Sequence, residues 1–232
     1  MNIDICDTKY SIETKVDNLL SILSFIKTTK NNSLSFRSGC KSGVCGSCAV
    51  VVNGVEKLAC KTTIKDGDKI TPLKNSKVIK DLIVDISNQE KLLKIVDVAL
   101  DKVDDKTITS DDQKAIDIES NCILCSSCFS SCPVYEVDEN FIGPFALARS
   151  YRYINDKKDD NIKSKIDKIQ DHGIWSCTLC GNCNMVCPAQ IDIKGDIMKL
   201  RNISAQYGYS DPNIANFDMG FSTDFGFNPN GF

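Results

Sequence analysis

Twelve of the thirteen cysteines stand in three clumps whose spacing suits thiolates gathered around iron and sulfide. The first clump is Cys40-x4-Cys45-x2-Cys48, with Cys60 eleven residues further on. This is the plant-type 2Fe–2S spacing. Two irons sharing two sulfides need four thiolates around one small rhomb, so a short loop wraps three and a strand-borne fourth closes the site. Gly39, Gly43 and Gly46 let backbone N–H groups approach the sulfurs, and such donors raise the reduction potential. The competing chemistry is zinc held by the same four thiolates.

The other two clumps repeat one another. Cys122-x2-Cys125-x2-Cys128-x3-Cys132-Pro133 and Cys177-x2-Cys180-x2-Cys183-x3-Cys187-Pro188 are both bacterial-ferredoxin runs. In proteins with two such runs, the fourth cysteine of each crosses to the other cluster. Three cysteines on a tight turn cap three irons of a cube, and the segment opened by the fourth points away. The spacing therefore assigns one 4Fe–4S cube to Cys122, Cys125, Cys128 and Cys187. It assigns a second to Cys132, Cys177, Cys180 and Cys183. Two zinc knuckles with spare thiols would not explain the duplicated Cys-Pro ends. Cys6 is left over and reads as a small buried hydrophobe of the first strand.

The elements that must position these loops follow from local pattern. Met1–Cys6 and Lys9–Val16 suit a hairpin, and Leu19, Leu20, Leu23 and Ile26 keep a helical period. Ala49–Val52, Asn53-Gly54 and Val55 read as strand, tight turn and strand. Asp66-Gly67-Asp68 marks a further turn. Residues 1–90 thus form a small α+β domain. Residues 91–110 make a charged linker in which Leu92, Leu93, Val96 and Leu100 suggest a helical stripe. The domain boundary falls between Asp85 and Asp105. Residues 111–206 are mostly helical, with Pro144 suited to a first turn and another helix over Ile191–Ile203. The stretch 207–232 has no period and reads as an irregular tail that becomes ordered on a partner.

Composition narrows the setting. The 232 residues carry a net charge of −3, which argues against a nucleic-acid footprint. No run reaches the roughly 20 apolar residues that span a bilayer, and the first residues lack a signal-peptide plan. A soluble cytoplasmic protein is expected. Thiols in a reducing compartment hold metal rather than form disulfides. The lone His172, near Trp175, reads as structural or solvent-facing.

Three stretches between about residue 35 and residue 205 resemble the iron–sulfur subunits of succinate dehydrogenases and fumarate reductases. They are Arg37-Ser38-Gly39-Cys40 through Cys48, Cys122-Ile123-Leu124-Cys125 through Cys132-Pro133, and Phe141-Ile142-Gly143-Pro144 leading to Arg149-Ser150-Tyr151-Arg152. The resemblance implies a β-grasp 2Fe–2S ferredoxin domain followed by an all-α helical ferredoxin domain. It further implies a flavoprotein partner carrying FAD and the dicarboxylate site, a distal membrane-anchor or cysteine-rich partner, and a place on the cytoplasmic face of the inner membrane. No catalytic acid, base or nucleophile is expected on this chain.

Two departures bear on the distal end. Most members hold a 3Fe–4S centre last and lack a cysteine at the position of Cys180. Its presence resembles the branch that includes thiol-linked fumarate reductases. Most members also place a Trp shortly after the first Cys-Pro and a His directly after the first cysteine of the last run. Here those stretches read Val134-Tyr135-Glu136-Val137-Asp138 and Thr178, which puts the usual quinone pocket in doubt. The alternative reading is a relay for another flavin oxidoreductase, of hydroxy-acid or heterodisulfide type. A zinc-stabilised interaction module is the third.

Overall fold

A computed structural model describes residues 1–101 and 105–212. The first unit is a five-stranded mixed sheet, order β2-β1-β5-β3-β4. Its strands are β1 (Asn2–Ile5), β2 (Thr8–Ser11), β3 (Ala49–Val52), β4 (Val55–Leu58) and β5 (Lys69–Thr71). β1 runs parallel to β5 at the centre, and the outer pairs are antiparallel hairpins. Asn53 and Gly54 both take positive φ (51° and 83°), the backbone of a two-residue hairpin turn matched to strand twist.

Helix α1 (Leu19–Thr29) buries Leu19, Leu20, Ile22, Leu23 and Ile26 in the first core. Each such side chain taken out of water contributes about 1.5–3 kcal/mol. Asn18 starts the helix by accepting from the Ser21 amide (3.2 Å), and its own amide donates to the Cys60 carbonyl (2.9 Å). The helix cap and the fourth cysteine of the first clump are therefore held by one side chain.

A small hairpin, β6 (Val78–Lys80) with β7 (Ile83–Val84), closes the first unit. Its strands are too short to show alternation in the sequence. Helix α2 (Ser87–Ile95) follows. Ile86 packs on the first core, whereas Leu92 and Val96 belong to the second. The expected stripe stops before Leu100, because the chain leaves the helix at Val96 and Asp97 is left-handed (φ 52°).

The second unit is helical: α3 (Ser110–Ser120), α4 (Ser127–Ser130), α5 (Pro144–Ile154), α6 (Ile162–Asp167), α7 (Asn182–Val186) and α8 (Ile193–Gln206). α5 packs along α8, with α3, α4 and α6 against it. Thr109 and Asp112 cap α3 reciprocally. Lys165 is fully buried; it reaches Asp159 at 3.2 Å and the Ala99 carbonyl at 2.6 Å, tying the segment after α2 to the helical core. From residue 213 onward the expected tail lies outside the described residues, as do residues 102–104 of the expected linker.

Candidate metal centres

The loop from Cys40 to Cys48 folds over the end of the sheet. Antiparallel register pairs Ala49 with Leu58, so Cys48 and the turn after β4 meet at the same sheet end. The Ala59 amide donates to the Cys48 carbonyl (2.9 Å) and the Cys60 amide to Cys48 Sγ (3.4 Å). The spacing places Cys60 on a strand; it sits instead on a one-turn 3₁₀ helix, Ala59–Lys61, because the pairing ends at Leu58. The amides of Ser42, Val44 and Cys45 point at Cys40 Sγ (3.4, 3.3 and 3.3 Å), and the Cys40 amide at Cys45 Sγ (3.3 Å). Hydrogen bonds from the Ser42 side chain and from the Ser42 and Val44 amides lower the Cys40 thiol to about 5. Burial pushes Cys48 up to about 11. The loop is thus built to hold an anion at its exposed rim.

The two later runs share one backbone plan. Leu124 and Ser126 in the first, Leu179 and Gly181 in the second, are left-handed at matching positions. Each run then enters a short helix, α4 or α7, and leaves it at Cys-Pro. One pocket is lined by Cys122, Cys125, Cys128 and Cys187 and walled by Phe145 and Ile191. A second is lined by Cys132, Cys177, Cys180 and Cys183 and walled by Phe141 and Thr178. In each, the fourth cysteine comes from the other run.

Burial raises the thiols of Cys132 to about 11 and Cys183 to about 12, and that of Cys128 well above its ordinary value. Such thiols ionise only when a cation joins them, so binding must release protons. Arg149 acts on Cys122 in the opposite sense, its charge favouring the thiolate. Its Nε is buried without a hydrogen-bond acceptor from the protein. Among the described residues, no three Cys, His, Asp or Glu side chains could hold a single metal ion. The thiols ring larger spaces.

The three sites adjoin. Cys45 and Gly46 of the first loop share a cleft with Ile123, Leu124 and Cys125, and α4 carries Cys128 of one pocket four residues before Cys132 of the other. Arg201, which sequence pattern did not single out, donates to the carbonyls of Ile174 (2.8 Å) and Cys177 (2.7 Å) and so anchors the start of the last run. No local signal marks it, because its role depends on α8 packing beside that loop. His172 is about half exposed and pairs with Asp138 (3.0 Å). Cys6 is not a buried strand residue: it lies in the β1–β2 turn, left-handed (φ 50°) and partly buried.

A thiol loop on a mixed sheet, joined to a helical unit with two thiol-lined cavities, defines an iron–sulfur protein of 2Fe–2S plus dicluster type. Residues 4–91 match the family described as a 2Fe-2S iron-sulfur cluster binding domain. Residues 119–191 match the 4Fe-4S dicluster domain. The fumarate reductase iron-sulfur subunit of Mycobacterium tuberculosis is 35% identical over 201 residues, 82% of this chain and 81% of that one. The subunit of the same name from Escherichia coli is 33% identical over 188 residues, 75% of this chain and 76% of that one. A chain of the CoM/CoB fumarate reductase of Methanothermobacter marburgensis is 34% identical over 203 residues, 86% of this chain but 41% of that longer one. A chain of the Mycobacterium smegmatis Sdh1 complex superposes with a TM-score of 0.78 at 23% identity, covering 88% of this chain and 91% of that one, which shows a common fold. The chain belongs to the family of fumarate reductase iron–sulfur subunits, which act in electron transfer.

Proposed function

We propose that this chain relays electrons between the FAD of a flavoprotein partner and a distal redox partner, through one 2Fe–2S and two 4Fe–4S clusters. The ligands are Cys40, Cys45, Cys48 and Cys60 for the first. For the second they are Cys122, Cys125, Cys128 and Cys187, and for the third Cys132, Cys177, Cys180 and Cys183. The domains are 1–90, for the 2Fe–2S centre, and 111–206, for the other two. The observation that carries this reading is the exchange of fourth cysteines between the two cavities. Paired zinc sites would have no need of it.

When bound, such clusters supply one-electron carriers. The protein's own groups hold and tune them. The amides of Cys40, Ser42 and Val44 donate to ligand sulfur, and Phe141, Phe145 and Ile191 keep water from the two cavities.

At the distal end Cys180 completes a fourth thiolate, and Thr178 lines the cavity. Together with the likeness to the CoM/CoB fumarate reductase chain, this favours a low-potential centre facing a thiol-linked or cysteine-rich partner. Among the described residues no helix is long and apolar enough to cross a membrane. Attachment to the cytoplasmic face of the inner membrane, where it occurs, is assigned to a separate anchor.

The test is the anaerobically purified complex. About ten irons per chain, three centres in a redox titration, and a co-purifying flavoprotein active with fumarate or succinate are expected. Zinc in place of iron, or a single paramagnetic centre after full reduction, overturns the reading. A flavoprotein active instead on a hydroxy acid or a heterodisulfide would move the chain to another flavin oxidoreductase.

A further inference from the structure

The loop after β5 crosses from the first unit to the second and ends in an amide that no cysteine pattern explains. Asn75 is left-handed (φ 58°). Its Nδ2 lies 2.9 Å from the Phe129 carbonyl oxygen, 3.2 Å from that of Ser130 and 3.0 Å from that of Cys132. The last carbonyls of a helix have no donor within it, and α4 ends here. Two amide protons therefore serve three acceptors. Beside it the Lys74 amide donates to Ser130 Oγ (2.8 Å), and that hydroxyl donates to the buried Glu56 carboxylate of β4 (2.7 Å). Three residues of the first unit thus grip one short segment of the second.

That segment is Cys128–Cys132. Cys128 lines one thiol cavity and Cys132 the other, so its conformation fixes where one ligand of each set stands. We infer that Asn75 is a positioning residue for both cubane sites, supplied by the 2Fe–2S domain. It holds the Cys128–Cys132 bridge in place by donating to three of that segment's carbonyls. The inference rests on the ligand assignment proposed above.

Two variants of the whole protein isolate the amide. Asn75→Gly keeps the left-handed backbone free of strain and removes the side chain. Asn75→Asp keeps the shape, tolerates the same backbone, and puts acceptors where the donors were. Each is titrated anaerobically with dyes while electron paramagnetic resonance follows every centre, beside the wild type.

The expected result is a shift of both cubane potentials, downward and larger in Asn75→Asp because it brings a negative charge, with altered spin coupling between the cubanes. The 2Fe–2S potential stays fixed although Asn75 belongs to its domain. Loss of the cubane signals alone, with the 2Fe–2S signal kept, supports the same role. Unchanged cubane potentials and coupling overturn it, and so does an equal change or loss of all three centres. A wild type without three centres would instead defeat the ligand assignment itself.

Discussion

Gly46 and Cys125 meet back to back across the domain junction: a β-carbon on Gly46 would stand 2.8 Å from the Cys125 β-carbon and 2.9 Å from its Cα. The loop of the first thiol set and the loop of the second are thus in direct contact. The close approach needs a residue with no side chain, and φ of 69° at Gly46 asks for the same.

Gly46→Ala should therefore force the two loops apart. Overpacking and a strained backbone each cost about 1–3 kcal/mol. We expect a lower denaturation midpoint and weaker magnetic coupling between the 2Fe–2S centre and its nearest cubane. Wild-type values for both would show that the loops do not press on one another.

A second tight pair is Tyr135 and Gly143. A β-carbon on Gly143 would overlap the Tyr135 hydroxyl and lie 2.9 Å from its Cζ, at φ of 91°. The hydroxyl is buried without a partner, beside Phe129 (ring centroids 4.1 Å apart). Tyr135→Phe removes an unsatisfied polar atom, so stability should hold or rise by about 1 kcal/mol. Gly143→Ala should destabilise, and adding Tyr135→Phe should restore only part, because the backbone strain remains. Equilibrium denaturation of the three variants decides this; full restoration would mean the backbone angle is not strained.

Asp196 on α8 is fully buried, and its Oδ2 meets no donor. Burial, then the neighbouring Glu119 carboxylate of α3, raises it from 3.8 to about 7, against the opposing pull of Lys199, which lies over the Tyr151 ring of α5. Between these values the unfolded chain has released a proton that the folded chain still holds. Stability from this group therefore falls as pH rises from about 4 to 7 and is level above. Asp196→Asn should remove that slope, so its advantage over wild type grows between pH 5 and pH 8. Denaturation curves at the two pH values test it; the same difference at both would contradict the buried acid.

Cys180→Ser should remove one iron corner of the distal centre and leave the other two centres intact. The oxidised variant should then show a new resonance near the free-electron g value, as a three-iron cluster does. An unaltered spectrum would remove Cys180 from the ligand set.

The cysteine runs, their proline ends and the strand–turn–strand around Asn53-Gly54 were legible residue by residue, because ligand spacing and turn geometry are local. So was the helical period of Leu19–Ile26, which needs only one apolar face. What crosses the chain was not. The partition of Leu92 and Val96 to the second core, the Cys60 turn, the Arg201 anchor and the grip of Asn75 on α4 have no period or motif. The contact between Gly46 and Cys125 likewise exists only where the two units pack on one another. Sequence determined which thiols are available and in what local loops. The tertiary structure decided how close the loops stand and which backbone carbonyls find donors, since those quantities arise from packing between residues far apart along the chain.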